Sequence, residues 1–330
     1  MTQKLAERRK ISSKKYSCPT KEVEPNDFLE NEQIYELMNT RDTYSFNQDY
    51  ELKLLNCVHC NACETSEERC HLNKKFLDDG NTITGLDRMK TNFEANRTPY
   101  LSGEMRIKRP DGIPEKSDTL YYMGCLSTIR IPQYTTDSIK YLLQQNIDFT
   151  ILDKEICCGY PFYVSGAFSE FERSKKENLE IFNSYNKIIC TCPACYYVFM
   201  AHYKENSDVE FVFVTDYLQP SEERKKGQVG VQHLCQLMYR GFPGVDIQFN
   251  QVLEKSGYEV VDIPHKCCGG GIGYMHRLDV IDKIAEERIL AFQKADFYTS
   301  YCPACYWILY YFGKKIKIHR KLKNPFELLL

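Results

Sequence analysis

Ten of the sixteen cysteines fall into two copies of one pattern, offset by a constant 110 residues. The first copy is Cys125, Cys157, Cys158, Cys192 and Cys195; the second is Cys235, Cys267, Cys268, Cys302 and Cys305. Each reads Cys, thirty-one residues, Cys-Cys-Gly, then Cys-Pro-Ala-Cys-Tyr. Identical spacing predicts two structural units of similar shape. It also predicts chemistry, because clustered thiolates bind soft metals or iron–sulfur clusters.

A chain of 330 residues holds two or three domains with sizeable cores. A net charge of −2 provides no global field for nucleic acid. With 24 tyrosines and 18 phenylalanines, disorder is expected only at the ends. The opening stretch MTQKLAERRKISSKKY has no apolar signal core, so secretion is not indicated. In a reducing cytosol, regularly spaced cysteines read as ligands or redox groups rather than disulfides. No run approaches the roughly 18–20 apolar residues of a membrane span. A cytoplasmic location is expected, with any membrane association made through a partner.

Five segments follow from composition. Residues 1–50 are polar, with basic Lys4, Arg8, Arg9, Lys10, Lys14 and Lys15 at the front. Residues 51–100 hold Cys57, Cys60, Cys63 and Cys70, then a helix over about 86–95. Residues 101–116 are Pro- and Gly-rich and read as a linker. The first repeat, 117–227, predicts strands at 120–123, 148–152 and 187–191, with helices over 133–145 and 169–185. The second, 228–330, predicts strands at 228–232, 258–262 and 297–301 and a helix over 278–293. Cysteines follow the strands, where α/β sheets gather functional groups. The fold class is α/β with mainly parallel sheets.

Within a repeat, Cys-Pro-Ala-Cys presents two thiolates on one turn whose proline fixes φ. Adjacent cysteines reach one centre only if the backbone bends sharply, and Gly159 and Gly269 permit this. Five thiolates per repeat exceed the four that structural zinc takes. The group Cys57, Cys60, Cys63 and Cys70 is spaced C-x2-C-x2-C-x6-C. Three cysteines so spaced wrap a cubane corner, with zinc as the competing reading. Cys18 and Cys190 read as ordinary thiols outside the pattern, and His233 and His265 as loop histidines beside Cys235 and Cys267. The glycines at 269, 270, 271 and 273 form no nucleotide motif. The basic run 314–323 reads as a solvated edge, with anionic lipid or an acidic subunit as the alternative.

The repeat resembles the CCG domain of heterodisulfide reductases, in their B- and D-type subunits, over residues 120–310. Tyr121-Tyr122-Met123-Gly124-Cys125, Cys267-Cys268-Gly269-Gly270-Gly271 and Cys302-Pro303-Ala304-Cys305 carry the likeness. The resemblance implies two tandem CCG domains preceded by a small helical ferredoxin-like domain. It implies that each five-cysteine set ligates a non-cubane [4Fe–4S] cluster and that the N-terminal group holds one [4Fe–4S] cubane. The N-terminal layout is similar to the D-type members and to the iron–sulfur subunits of glycolate oxidase and anaerobic glycerol-3-phosphate dehydrogenase. It departs from them in having one motif, a longer final gap, and His71 in place of proline. The implied function is an iron–sulfur subunit of a heterodisulfide reductase-like oxidoreductase. Its two clusters would face one cleft and reduce or form a disulfide. The alternative is an electron-relay subunit of a flavin-dependent dehydrogenase, passing electrons to a quinone or carrier. Expected partners are redox subunits, a flavoprotein or another iron–sulfur protein, with no nucleic acid. A zinc-binding interaction module is the non-enzymatic reading.

Overall fold

A computed structural model of the protein describes residues 18–39, 48–101, 107–242, 244–271 and 277–330. The basic residues at 4–15 and Gly273 lie outside the described residues.

The first repeat builds a parallel three-stranded sheet from β1 (Thr119–Tyr122), β2 (Lys187–Cys190) and β3 (Glu210–Phe213), in that order. Leu120 pairs with Ile188, and Ile188 with Phe211. The second repeat builds a parallel sheet from β4 (Gln228–Val231), β5 (Glu259–Val261) and β6 (Phe297–Thr299), ordered β5-β4-β6. The strand expected near 148–152 is reduced to a single parallel bridge, Leu120 to Thr150, at the place β5 occupies in the second sheet. The 110-residue repeat is thus kept in three dimensions.

Continuous apolar runs make these strands, because helices cover both faces of a parallel sheet. Leu120, Tyr121, Tyr122, Ile188, Ile189 and Cys190 are all buried. Helix Pro132–Gln144 starts on proline, which lacks only an amide the first turn does not use. It buries Tyr134, Ser138, Tyr141 and Leu142, one stripe at helical spacing. Helix Phe168–Phe182 does the same with Phe171, Ser174, Asn178 and Phe182. Ahead of the repeats, helices Ser66–Asp78 and Leu86–Asn96 form an N-terminal helical region. Among the described residues, no helix is long and apolar enough to cross a membrane.

The two repeats are held together by the final segment of the second. Phe326 is fully buried, with ring centroids 5.7 Å from Tyr134, 5.8 Å from Tyr141 and 5.2 Å from Tyr301. Asn324 Nδ2 donates to Asp137 Oδ2 at 2.8 Å. The basic run nearby is partly spent locally: Lys315 pairs with Asp282 at 2.8 Å, and Lys323 with Glu327 at 3.1 Å. Phe326→Ala removes an aromatic plug from the junction of the repeats. Loss of such a side chain costs about 3–5 kcal/mol. Denaturant unfolding of the variant is expected to show a loss of that size, and a loss below about 1 kcal/mol would place the junction's stability elsewhere.

Candidate functional site

Cys125, Cys192, Cys235 and Cys302 stand just beyond β1, β2, β4 and β6, while the Cys157-Cys158 pair follows only the bridge at Thr150. Cys125 and Cys235 open the helices Cys125–Arg130 and Cys235–Met238, directly after β1 and β4. Cys192 and Cys302 cap the helices Pro193–Val198 and Pro303–Lys315, with Cys195 and Cys305 in their first turns. Cys302 Sγ accepts the Cys305 amide at 3.5 Å. Thiolate charge is stabilised at such helix starts. Gly159 and Gly269 sit at φ 85, the left-handed turn that re-aims the chain after each Cys-Cys pair. A Cβ on Gly159 would stand 2.7 Å from Phe171.

Hydrogen bonds brace the first Cys-Cys loop from all sides. Tyr122 Oη donates to the Ile156 carbonyl at 2.6 Å. Asn178 Nδ2 donates to the Cys157 carbonyl at 3.0 Å, beside a bond from Ser174. Glu155, buried, accepts the Met123 and Gly124 amides, each at 2.7 Å. Burial raises its pKa to about 8 against those two bonds.

All ten cysteines of the two sets open on one cavity of about 100 Å³. Val58, Tyr100, Tyr160 and Gln236 complete much of its wall. A water needs about 10–15 Å³ on the same measure, so a few waters or one small reactive group fit. Within each set the sulfurs touch in a chain, Cys157 meeting both Cys125 and Cys158, and Cys268 both Cys267 and Cys305. Cys125 Sγ lies 3.7 Å from Cys157 Sγ, and Cys268 Sγ lies 3.1 Å from Cys305 Sγ. The hydrogen bond from Cys125 holds the Cys157 thiol well down, and that from Cys195 lowers Cys192. Bonds from Cys267 and Cys305 hold Cys268 at about 6.

This arrangement corrects the cofactor expectation. Among the described residues, no group of three or more Cys, His, Asp or Glu side chains is gathered to hold a metal ion. A four-iron cluster needs thiolates converging on one centre. Here the sulfurs line a shared wall and bond to one another in a chain within each set. The expected pair of non-cubane [4Fe–4S] clusters and the N-terminal [4Fe–4S] cubane are therefore not supported. The metal-binding role falls with them. So do the cluster-driven disulfide chemistry and the flavin-dehydrogenase relay built on those clusters.

The N-terminal cysteines are grouped differently from their spacing. Cys57, Cys60 and Cys63 line a second cavity of about 100 Å³ together with Cys18 and Arg69. Cys70 does not line it. It is buried on helix Ser66–Asp78, with its thiol donating to the Ser66 carbonyl at 3.1 Å. Cys18 stood outside every motif because the chain brings it back from about forty residues away. Cys190 is buried in β2, 3.6 Å from the Val212 carbonyl. His233 and His265 stack with ring centroids 4.6 Å apart, and burial keeps both below the ordinary histidine pKa.

One junction that the motifs do not announce joins the three parts of the chain. Glu67 accepts hydrogen bonds from Tyr163, Tyr197 and Arg240, the last at 2.9 Å. Arg240 also donates to the His59 carbonyl at 3.0 Å and to Ser66 Oγ at 2.8 Å. Its guanidinium lies 3.8 Å from the Tyr197 ring centroid. Burial alone would raise the Glu67 pKa, but these donors outweigh it and hold the carboxyl below its usual 4.5. Stability from a depressed carboxyl is present above the unfolded pKa and is lost as pH falls through the folded one. Thermal melts of wild type should therefore fall in Tm on acidification below about pH 4.5, the ordinary glutamate value. Glu67→Gln should lower Tm at neutral pH and flatten that acid limb. An acid limb as steep as wild type's would show that other carboxylates govern it.

The comparisons with known proteins agree with this architecture. The CCG cysteine-rich domain profile matches residues 119–200 and again residues 229–310. Uncharacterized iron–sulfur proteins of Methanococcus maripaludis and Methanocaldococcus jannaschii are 28% and 26% identical to this chain, over 64% and 65% of it. The alignments cover 44% and 45% of those relatives, so the chain spans less than half of their length. One of the subunits of the fumarate reductase (CoM/CoB) from Methanothermobacter marburgensis is 22% identical over 56% of this chain and 40% of its own. The chain is a CCG-domain-containing protein, distantly related to iron–sulfur proteins and to a fumarate reductase subunit.

Proposed function

We propose that this chain is a redox subunit of an oxidoreductase complex of the heterodisulfide-reductase-like kind, and that its sulfur-lined chamber is the working site. The single observation that carries the reading is that ten cysteines from two domains open on one cavity. Structural thiols are scattered through a core. Thiols brought from two domains to one chamber form a place where electrons and a substrate meet. The distant likeness to a protein named as one of the subunits of a fumarate reductase supports work within an assembly, in which a partner supplies or removes electrons.

The sulfur pairs supply a couple of known stoichiometry. Two thiols form one S–S bond as two electrons and two protons leave, and the reverse step restores them. The pairs Cys125/Cys157 and Cys268/Cys305, with sulfurs 3.7 Å and 3.1 Å apart, are candidates for it. Helix starts at the cysteines favour the thiolate that begins such a step. The buried chamber limits access by bulk solvent and other thiols.

Coulometric titration of the anaerobic full-length protein tests the reading. Reversible uptake of electrons is expected, reduced in Cys157→Ser and in Cys268→Ser and kept in Cys190→Ser. No reversible uptake in wild type, or equal loss in Cys190→Ser, would overturn the proposal.

A further inference from the structure

The basic run 314–323 lies outside the chamber. It carries six lysines and arginines and His319, with no acidic residue among them, in a chain whose net charge is −2. The run begins in the last turn of helix Pro303–Lys315. That helix starts at the chamber, where Ala304 and Cys305 line the cavity.

The helix has two unlike faces. Ile308, Leu309 and Phe312 are buried. Trp307, Tyr310, Tyr311 and Lys314 stand at i, i+3, i+4 and i+7, one stripe at helical spacing. Tyr310 is 37% exposed and Tyr311 46%, with Trp307 half-buried beside them. The Trp307 and Tyr311 rings stack with centroids 5.2 Å apart. Lys314 Nζ stands 4.6 Å from the Tyr310 centroid, and Lys315 Nζ 5.4 Å from that of Tyr311. Both lysines lie over rings and stay exposed.

Past the helix the chain turns at Lys317, at φ 62, and presents Lys317 and Arg320 to solvent. Lys315 and Lys323 are taken up by Asp282 and Glu327, whereas among the described residues Lys314, Lys317 and Arg320 have no carboxylate partner. Aromatic surface in water is unfavourable, and uncompensated like charges repel. Both costs turn into gains at an anionic bilayer. Trp and Tyr, with apolar bodies and polar tips, settle at headgroup level. Lys and Arg are drawn by the negative surface potential. The face is a single helix and its trailing turn, which a fluid surface meets without a matched groove or a fixed register of ion pairs.

We infer that this stripe and the turn after it form a docking face for an anionic membrane surface. Trp307, Tyr310 and Tyr311 enter the headgroup layer, and Lys314, Lys317 and Arg320 pair with lipid phosphates. At the helical rise, Cys305 and Lys314 are about 15 Å apart. Docking here therefore sets the chamber close to the bilayer.

Vesicle binding tests this. Trp307 is the chain's single tryptophan, so its emission reports on this face alone. The anaerobic full-length protein is sedimented with vesicles of phosphatidylcholine alone or mixed with phosphatidylglycerol, and Trp307 emission is followed with brominated acyl chains in the anionic mixture. Sedimentation with the anionic vesicles only is expected, weakened by salt. Trp307 emission should shift to the blue and be quenched by bromine. The exposed triple variant Lys314→Gln, Lys317→Gln, Arg320→Gln should keep the wild-type Tm and bind about a hundredfold more weakly. No binding to anionic vesicles, equal binding to both compositions, unchanged binding of the triple variant, or sedimentation without quenching of Trp307 would overturn the inference. Retention of wild type on immobilised poly-glutamate, without vesicle binding, would assign the face to an acidic protein instead and overturn it as well. None of these outcomes bears on the chamber.

Discussion

The structure depends on one geometric constraint: in a parallel sheet, every strand delivers its following residues to the same edge. Each CCG unit has its strands parallel, and β1, β2, β4 and β6 are each followed within a few residues by a cysteine motif. The thiols of a unit are therefore gathered at one edge without any special design of the intervening chain. Two such units packed with these edges facing produce a chamber, and the Phe326 plug and the Asn324–Asp137 bond keep them facing. Once the chamber is closed, most of its thiols are buried together, and sulfur neighbours pull the proton affinity of Cys157 and Cys268 down.

Much of this was legible in the cysteine spacing. The 110-residue offset implied two similar units, and both parallel sheets follow it. Apolar runs marked β1, β2, β4 and β6 because a strand covered on both faces must be apolar throughout. β3 was not marked, since Glu210-Phe-Val-Phe is a short edge strand whose pairing to β2 comes from tertiary context. Helix Gly244–Lys255 was missed for a similar reason, lying just beyond a turn-rich stretch. Spacing failed most clearly for the N-terminal group. Sequence proximity favoured Cys70, but residue 70 lies on a helix that turns its thiol back to Ser66. Cys18 reaches the cavity instead, through chain reversal that no local pattern encodes.

Spacing also suggested a metal, and among the described residues the side chains do not assemble a site for one. Counting ligands fixes how many sulfurs are available, not whether they converge. Glu155 and Glu67 lie outside the cysteine motifs. Laying one repeat over the other exposes the first, because Glu155 faces His265 across the offset. Glu67 has no repeat counterpart. Its role depends on Tyr163, Tyr197 and Arg240 arriving from two other parts of the chain.

The central claim is that cysteines from both domains face one chamber. Short-range crosslinking is the most direct measurement. The anaerobically reduced full-length protein is treated with dibromobimane, which bridges only neighbouring thiols, and the links are mapped on peptides. The account predicts links joining a cysteine of the first set, such as Cys192 or Cys195, to one of the second, such as Cys302 or Cys305. Links confined to within each set would contradict it.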